Sequence, residues 1–272
     1  MAGLRKRRLG RTGLAVSELG LGAMDTPHSP EAVETVMTAL DLGIDFIDTA
    51  RDYEGSEHLL GEVIRRRGGK DFVLGSKTFR HSANGSQYEI DRSLRVLGVE
   101  RIDLYQLHDI STPAAWDEVM GEDGALEGLK TARYRGLIGH IGISSHHLDI
   151  AERAITCGEF DTVMIEYSAF FPQSAPLIGL AAERDVGVIV MRPLGGSGRT
   201  STMRGRLAGG YSGPLTPANL LRYVLSHPGV SVAIPGARYP SRIVENVATA
   251  SSYEPMTLAE RRKLEQAAAE LY

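Results

Sequence analysis

Asp48 closes the apolar run IDFID, and Tyr53 stands five residues later in the glycine-containing stretch DTARDYEGSEHLLGEVI. Two further apolar runs end in titratable groups of other kinds, LGSKT at Lys77 and YQLHD at His108. Together these types make a proton-donating unit. A phenol with an ordinary pKa of about 10 is a reluctant acid at neutral pH. A nearby ammonium stabilises the phenolate and lowers that value, and Lys77 is the cation available. A buried ammonium loses its own charge through desolvation unless a carboxylate sits beside it, which is the part open to Asp48. A neutral His108 could orient a substrate oxygen or assist the donor. A carbonyl receiving a hydride needs such help, because the incipient alkoxide must be stabilised and protonated. Singly, each residue has a plainer reading as a turn cap, a loop packer, a rim lysine or a satisfied core histidine. Their joint placement at the ends of successive apolar runs argues for chemistry.

The elements that must position them alternate along the chain. Strand candidates are VSELGLG (16–22), IDFID, DFVLGSK, RIDLYQLH, HIGIS, DTVMIEY, VGVIVM and VSVAIP, each followed by a stretch of helical period. In SPEAVETVMTALDLG, Ser29 can cap, Pro30 suits the first helical position and Gly43 ends the helix. SEHLLGEVI turns Leu59, Leu60, Val63 and Ile64 toward the strands. In SQYEIDRSLRVLG, Ser86 and Glu89 read as a capping box and Gly98 as the exit. Further helices are expected at about 113–135, 148–157, 173–185, 217–227 and 241–250, with a last one in TLAERRKLEQAAAELY.

Eight such units in 272 residues predict an α/β fold: one (β/α)8 TIM barrel over residues 1–272. A short N-terminal β-hairpin turning at Gly10 to Gly13 would close its floor, and an additional C-terminal helix would follow the last unit. An open dinucleotide-binding sheet fits less well, since LGLGAMD lacks the third glycine of G-x-G-x-x-G and opens no immediate helix. In such a barrel the working groups lie at the C-terminal ends of strands, where Asp48, Lys77 and His108 fall.

The composition, 42% hydrophobic and 24% charged with a formal net charge of -4, is that of a globular chain with a substantial core. The acidic balance gives no electrostatic reason to expect nucleic acid or an anionic membrane, so small molecules are the default partner. Cys157 is the single cysteine, which excludes an intrachain disulfide and a thiolate-rich metal site and suits a reducing compartment. MAGLRKRRLG is basic but lacks the apolar core of a signal peptide, and no apolar run approaches the ~20 residues of a membrane helix. The expectation is a cytoplasmic protein, with the Arg5 to Arg8 cluster as a solvated edge strand. A metal-assisted hydrolase using Asp48, His108 and Asp109 would leave Lys77 and Tyr53 unexplained, and no metal is expected.

Through DTARDYEGSEHLLGEVI, SKT, SLRVLGVERIDLYQLHD, GHIGISS, IEYS and IPGARYPSRIVENV, the chain resembles the aldo-keto reductase superfamily in order along nearly its whole length. The resemblance implies a (β/α)8 barrel reducing aldehydes or ketones to alcohols with NADPH, or less often NADH. It implies Tyr53 as general acid, Lys77 and Asp48 as its tuning pair, and His108 as the group orienting the carbonyl. On the cofactor side it places Gly22, Ala23 and Met24 near the nicotinamide ribose, Ser144, Ser145 and Met164 at the carboxamide, and Tyr167 against the nicotinamide ring. Backbone N–H groups of Arg192, Pro193, Leu194, Gly195 and Gly196 would line the pyrophosphate, proline excepted, with the rest of that long loop as a strap. Gly236, Arg238, Arg242, Glu245 and Asn246 would hold the adenosine, and the two arginines suit a 2′-phosphate, which favours NADPH.

Two positions depart from the commonest pattern of that family. Ser145 stands where many members carry asparagine, and Met164 where many carry glutamine; methionine offers only a weak sulfur acceptor. The altered grip motivates an alternative, an NADPH-binding redox-sensing or regulatory protein with little turnover; His146 and His147 could compensate for it. The short connection after His108 implies a relatively open site, with Trp116 either an aromatic wall or a packing anchor.

Overall fold

A computed structural model of the chain describes residues 3–26 and 28–271. The first two strands, β1 (Lys6–Arg8) and β2 (Ala15–Ser17), form an antiparallel hairpin turning through a short 3-10 helix at Gly10–Thr12. Eight parallel strands follow, each bonded to its neighbour in chain order: β3 (Leu21–Gly22), β4 (Phe46–Asp48), β5 (Val73–Thr78), β6 (Ile102–Leu107), β7 (Ile138–Ser144), β8 (Thr162–Glu166), β9 (Gly187–Met191) and β10 (Val232–Ala233). The circle closes through Gly20 N–H to Ala233 O at 2.8 Å and Ala233 N–H to Glu18 O at 2.9 Å. The predicted first strand, residues 16–22, therefore splits. Its start pairs with β1, and only its end joins the barrel.

The hairpin plugs the barrel. Leu9 and Val16 are fully buried in one cluster with the interior side chains Phe46, Leu104, Met164, Ile189 and Val232. Gly10 is required there: its φ is +53°, and a Cβ would lie 2.1 Å from Gly187 N. The basic run Arg5 to Arg8 is paired throughout: Arg5 and Arg7 with Glu18 (3.2 and 2.6 Å), Lys6 with Asp45 (2.6 Å) and Arg8 with Asp185 (2.8 Å).

The outer layer consists of α1 (Pro30–Asp41), α2 (Ser56–Arg67), α3 (Ala83–Leu97), α4 (Pro113–Met120), α5 (Ala125–Tyr134), α6 (Leu148–Thr156), α7 (Ala175–Glu183), α8 (Ser197–Ala208), α9 (Pro217–Leu225), α10 (Pro240–Ser252) and α11 (Leu258–Ala269). In α1, Ser29 Oγ accepts from Ala32 N–H and Pro30 takes the first position, where its missing N–H costs nothing. Leu59, Leu60 and Val63 of α2 are fully buried, at roughly 1.5–3 kcal/mol per side chain. The helix ends at Gly68, whose φ of +74° suits a glycine stop.

Two helix expectations are corrected. Helix α3 is capped by Ser82, which accepts from Gly85 N–H, so Ser86 lies inside the helix and bonds the Ala83 and Ala125 carbonyls. Glu89 is free of any capping duty and faces Arg51 at 3.0 Å. The single helix expected at 113–135 is two, because the chain turns tightly over Gly121 to Gly124. A Cβ on Gly124 would lie 2.5 Å from Val119 O. No helix among the described residues is long and apolar enough to cross a membrane.

Candidate active site

Asp48 ends β4, Lys77 is the next-to-last residue of β5 and His108 directly follows β6, and the side chains meet at the mouth of the barrel. Lys77 Nζ donates to Asp48 Oδ2 at 2.5 Å and to Thr49 O at 2.7 Å. The ammonium also lies 4.7 Å from the centre of the Tyr53 ring. The His108 ring meets Tyr53 edge-on at 5.4 Å and stacks on Phe79 at 3.9 Å. Four titratable groups from three strand ends and one loop thus share one small volume.

The electrostatics are dominated by burial. Desolvation pushes the Tyr53 phenol above its usual value, against the opposing pull of Lys77 and Arg192. The expectation that Lys77 would bring the phenol down is met in sign by the lysine itself but is outweighed by desolvation. Burial likewise raises the Asp48 carboxyl, opposed by Lys77 and by Gln106. His108 is pushed down to about 3 by desolvation, then by Lys77 and His146, so the ring is neutral at ordinary pH. Its Nδ1 is enclosed without a partner among the described residues, which leaves Nε2 as the atom that can serve the cavity.

The loop carrying Tyr53 is held from both sides. Arg51 donates to Glu57 Oε2 at 2.6 Å and faces Glu89 at 3.0 Å, and Glu57 Oε1 accepts from Ser76 Oγ at 2.8 Å. Ser76 precedes Lys77, so the anchor of the tyrosine loop is also tied to the lysine strand. Thr49 and Ser56 join hydroxyls at 2.7 Å across the base of the loop, and Ser56 Oγ donates on to Ala23 O at 3.0 Å. The local sequence pattern gives Arg51 and Glu57 no distinguishing signal. Only the fold turns them inward.

From this cluster a cavity of about 960 Å³ runs across the barrel mouth to the start of α10. Gly22, Ser144, Met164 and Met191 line it near these titratable groups, while Met24 and Phe79 also border it at 58% and 45% exposure. Arg192, at a φ of +52°, begins the loop after β9, and the Pro193 to Gly196 backbone lines the middle with both glycines at φ +86°. The far end carries Arg204 from α8, Gly236, Arg238, Arg242 and Asn246. Arg192 and Arg199 share Glu166 at 3.2 and 3.7 Å. Arg242 holds Glu245 at 2.8 Å, and Arg204 approaches the same carboxylate at 3.4 Å.

Most of the expected residues line this cavity; four do not. Tyr167 is fully buried, its hydroxyl accepting from Arg261 and its ring packed 5.3 Å from Tyr223, so it is unavailable to stack on a ring in the cavity. Met191 occupies the exposed end of the next strand instead. Ser145 turns its hydroxyl to the His147 backbone at 3.1 Å, leaving Ser144 to face the site. Ala23 is fully buried beside the Tyr53 loop, and Glu245 acts through the arginines that it holds. Of the paired histidines, His146 lines the cavity and His147 precedes α6. Trp116 is a packing anchor, edge-on to Phe160 at 6.3 Å. The long loop after β9 contains α8, which the glycine-rich composition concealed, and α8 brings Arg199 and Arg204 to the cavity. Among the described residues no group of three or more His, Cys, Asp or Glu could hold a metal ion.

The sequence model of the Aldo/keto reductase family matches residues 18–210. The chain is 25% identical over 289 residues to the uncharacterized oxidoreductase YqkF of Bacillus subtilis, covering 92% of each. It is 29% identical over 216 residues to the aldo-keto reductase yakc [NADP(+)] of Schizosaccharomyces pombe, covering 72% of this chain and 59% of that one. Among solved structures, the holo form of aldo-keto reductase AKR11C1 from Bacillus halodurans superposes with a TM-score of 0.79 at 26% identity, covering 97% of this chain and 96% of that one.

Proposed function

The chain belongs to the aldo/keto reductase family, and from that premise we propose that it reduces small aldehydes or ketones to alcohols with NADPH, using Tyr53 as the proton donor. The observation that carries this reading is the buried Lys77–Asp48 pair beneath Tyr53, at one end of a cavity whose other end is lined by arginines.

The residues present fit a dinucleotide phosphate. The cavity is long enough to separate a reacting end from an anion-binding end, and the backbone lining its middle takes left-handed conformations at Arg192, Gly195 and Gly196, a type of turn suited to cradling an anion. Arg238 and Arg242, joined by Arg204, would hold a 2′-phosphate by charge-assisted hydrogen bonds, which favours NADPH over NADH. Bound there, the cofactor supplies the hydride.

The chain's own residues supply everything else. Tyr53, held protonated through neutral pH, can release its proton to the carbonyl oxygen, and Lys77 stabilises the phenolate that results. Asp48 keeps Lys77 charged despite its burial. Neutral His108 can donate from Nε2 to the same oxygen, fixing its direction and stabilising developing charge. Ser144 Oγ accepts from Asp109 N–H at 2.8 Å, which leaves its own proton free to donate to a carboxamide oxygen beside Met164.

Oxidation of NADPH with a panel of reactive aldehydes tests the reading. Expected are turnover in the wild type and its near-complete loss in Tyr53→Phe with cofactor affinity retained. The Met164 substitution keeps the regulatory alternative in play. Tight NADPH binding with no single-turnover oxidation by any carbonyl would favour that alternative.

A further inference from the structure

Lys77 satisfies only one oxygen of the catalytic-end carboxylate. The other, Asp48 Oδ1, accepts from Gln106 Nε2 at 3.0 Å. Gln106 lies on β6 directly beside Lys77 in the parallel register, two residues before His108, and is fully buried. A long polar side chain inside a barrel otherwise filled by Phe46, Leu104, Ile189 and Val232 costs free energy unless it is used.

The barrel is carved to admit it. On the far side, β7 carries Gly142 opposite Gln106, where a Cβ would lie 2.8 Å from Gln106 Cγ and 2.4 Å from Thr162 Oγ1. On the near side, a Cβ on Gly75 of β5 would make only ordinary contacts, 3.5 Å from Asp48 Oδ1 and 3.8 Å from Gln106 Nε2, so the room is made by Gly142. Neither glycine has a positive φ. Space, and not backbone conformation, is what Gly142 provides.

We propose that Gln106 is a positioning residue for the reaction, fixing the Asp48 carboxylate through Oδ1 so that Oδ2 holds Lys77 beneath Tyr53. The proposal rests on the reading of Tyr53, Lys77 and Asp48 given above. A donated amide hydrogen bond favours the ionised carboxylate, so Gln106 also opposes the burial that raises the Asp48 carboxyl. The other titratable or charged groups facing this site are Asp52 and Tyr53 from the loop after β4, Lys77 from β5, His108 and Asp109 after β6, His146 after β7 and Arg192 after β9. Gln106 is a neutral donor bonded to Asp48 itself, and it restrains the carboxylate without competing for Lys77.

The first measurement needs neither turnover nor a variant. In the wild-type protein, the Gln106 side-chain amide proton should shift with the same midpoint as the Asp48 carboxyl, followed by proton and carbon NMR; an amide indifferent to that titration overturns the proposal. Two variants then separate positioning from packing. Gln106→Met keeps the length and volume of the side chain, and should raise the Asp48 midpoint. Its kcat should fall roughly ten- to hundredfold at neutral pH, with the acid limb moved upward and NADPH affinity and melting temperature little changed. Gln106→Glu introduces an acid that can donate to Asp48 only while protonated, so its kcat should fall as pH rises, the opposite slope. A loss equal at all pH values in both variants, tracking melting temperature, assigns the residue to packing alone and overturns the proposal. If the wild type reduces no carbonyl, the reductase reading fails while the NMR titration still decides the Gln106–Asp48 link.

Discussion

At the strand-end side of the cavity the Lys77 and Asp48 side chains are 1% and 3% exposed, whereas at the far end Arg242 and Glu245 keep 35% and 51%. The first pair is built from residues that terminate or lie on barrel strands, and its partners Thr49 and Gln106 are buried too. The second stands on the first turn and a half of α10, shared with Arg204 from α8. A charge pair in water-accessible surroundings is screened by salt and contributes little on its own. A buried pair cannot be relieved by solvent, so its geometry is enforced. One end is thus suited to hold reacting groups in a single arrangement, and the other to capture an anion and let it go.

The contrast can be broken first at the tyrosine. Tyr53→Phe removes the proton donor from the rigid end and should cost about 10²–10⁴ in kcat, with the NADPH dissociation constant unchanged in fluorescence titration. Next, Lys77→Met strands Asp48 as a buried unpaired carboxylate and should destabilise the fold by roughly 3–5 kcal/mol, read by denaturant unfolding; a companion Asp48→Leu change should recover much of that loss. At the exposed end, Arg242→Ala should weaken NADPH binding about tenfold, or ~1.4 kcal/mol, leave NADH binding nearly unchanged and flatten the salt dependence. Equal loss for both cofactors would remove the 2′-phosphate assignment.

The smallest effect is in pH. His108 has an ordinary value of 6.5 and is depressed to about 3 in the fold. Below 6.5 the unfolded chain takes up a proton that the folded chain refuses, so stability falls as pH falls toward 3. Between pH 7 and pH 6 the expected loss from this group is under about 1 kcal/mol. Thermal melts of wild type and His108→Gln should converge as pH is lowered through this window.

Much of the site was readable from local pattern. Asp48, Lys77 and His108 each end an apolar run, and a run that must be buried on both faces in a barrel delivers its last residue to the mouth. Ser29-Pro30 and Gly68 punctuate helices by rules that depend on a few neighbouring atoms. Where the reading failed, the deciding contact came from elsewhere in the chain. Ser86 matches a cap by spacing but its hydroxyl is taken by Ala83 and Ala125 carbonyls, the latter 39 residues away. Tyr167 follows a strand as a cavity residue would, yet Tyr223 and Arg261 claim it on the outside of the barrel. Arg204 sits in a segment whose glycines suggested loop alone, and only the docking of α8 brings it to the cavity.

By itself the sequence determined the alternation of strands and helices and the residues at or near the ends of β4, β5 and β6, because hydrophobic period, glycine stops and capping serines act over a few residues. It also supplied the chemical types that a carbonyl reductase needs. The tertiary structure alone decided which polar groups share a charge. Arg51 locks to Glu57 and Glu89, Gln106 reaches Asp48 through space left by Gly142, and Arg204 meets Glu245 from another helix. Hydrogen bonds and ion pairs depend on distances of a few ångströms between segments far apart in the chain, and those distances exist only once the barrel has closed.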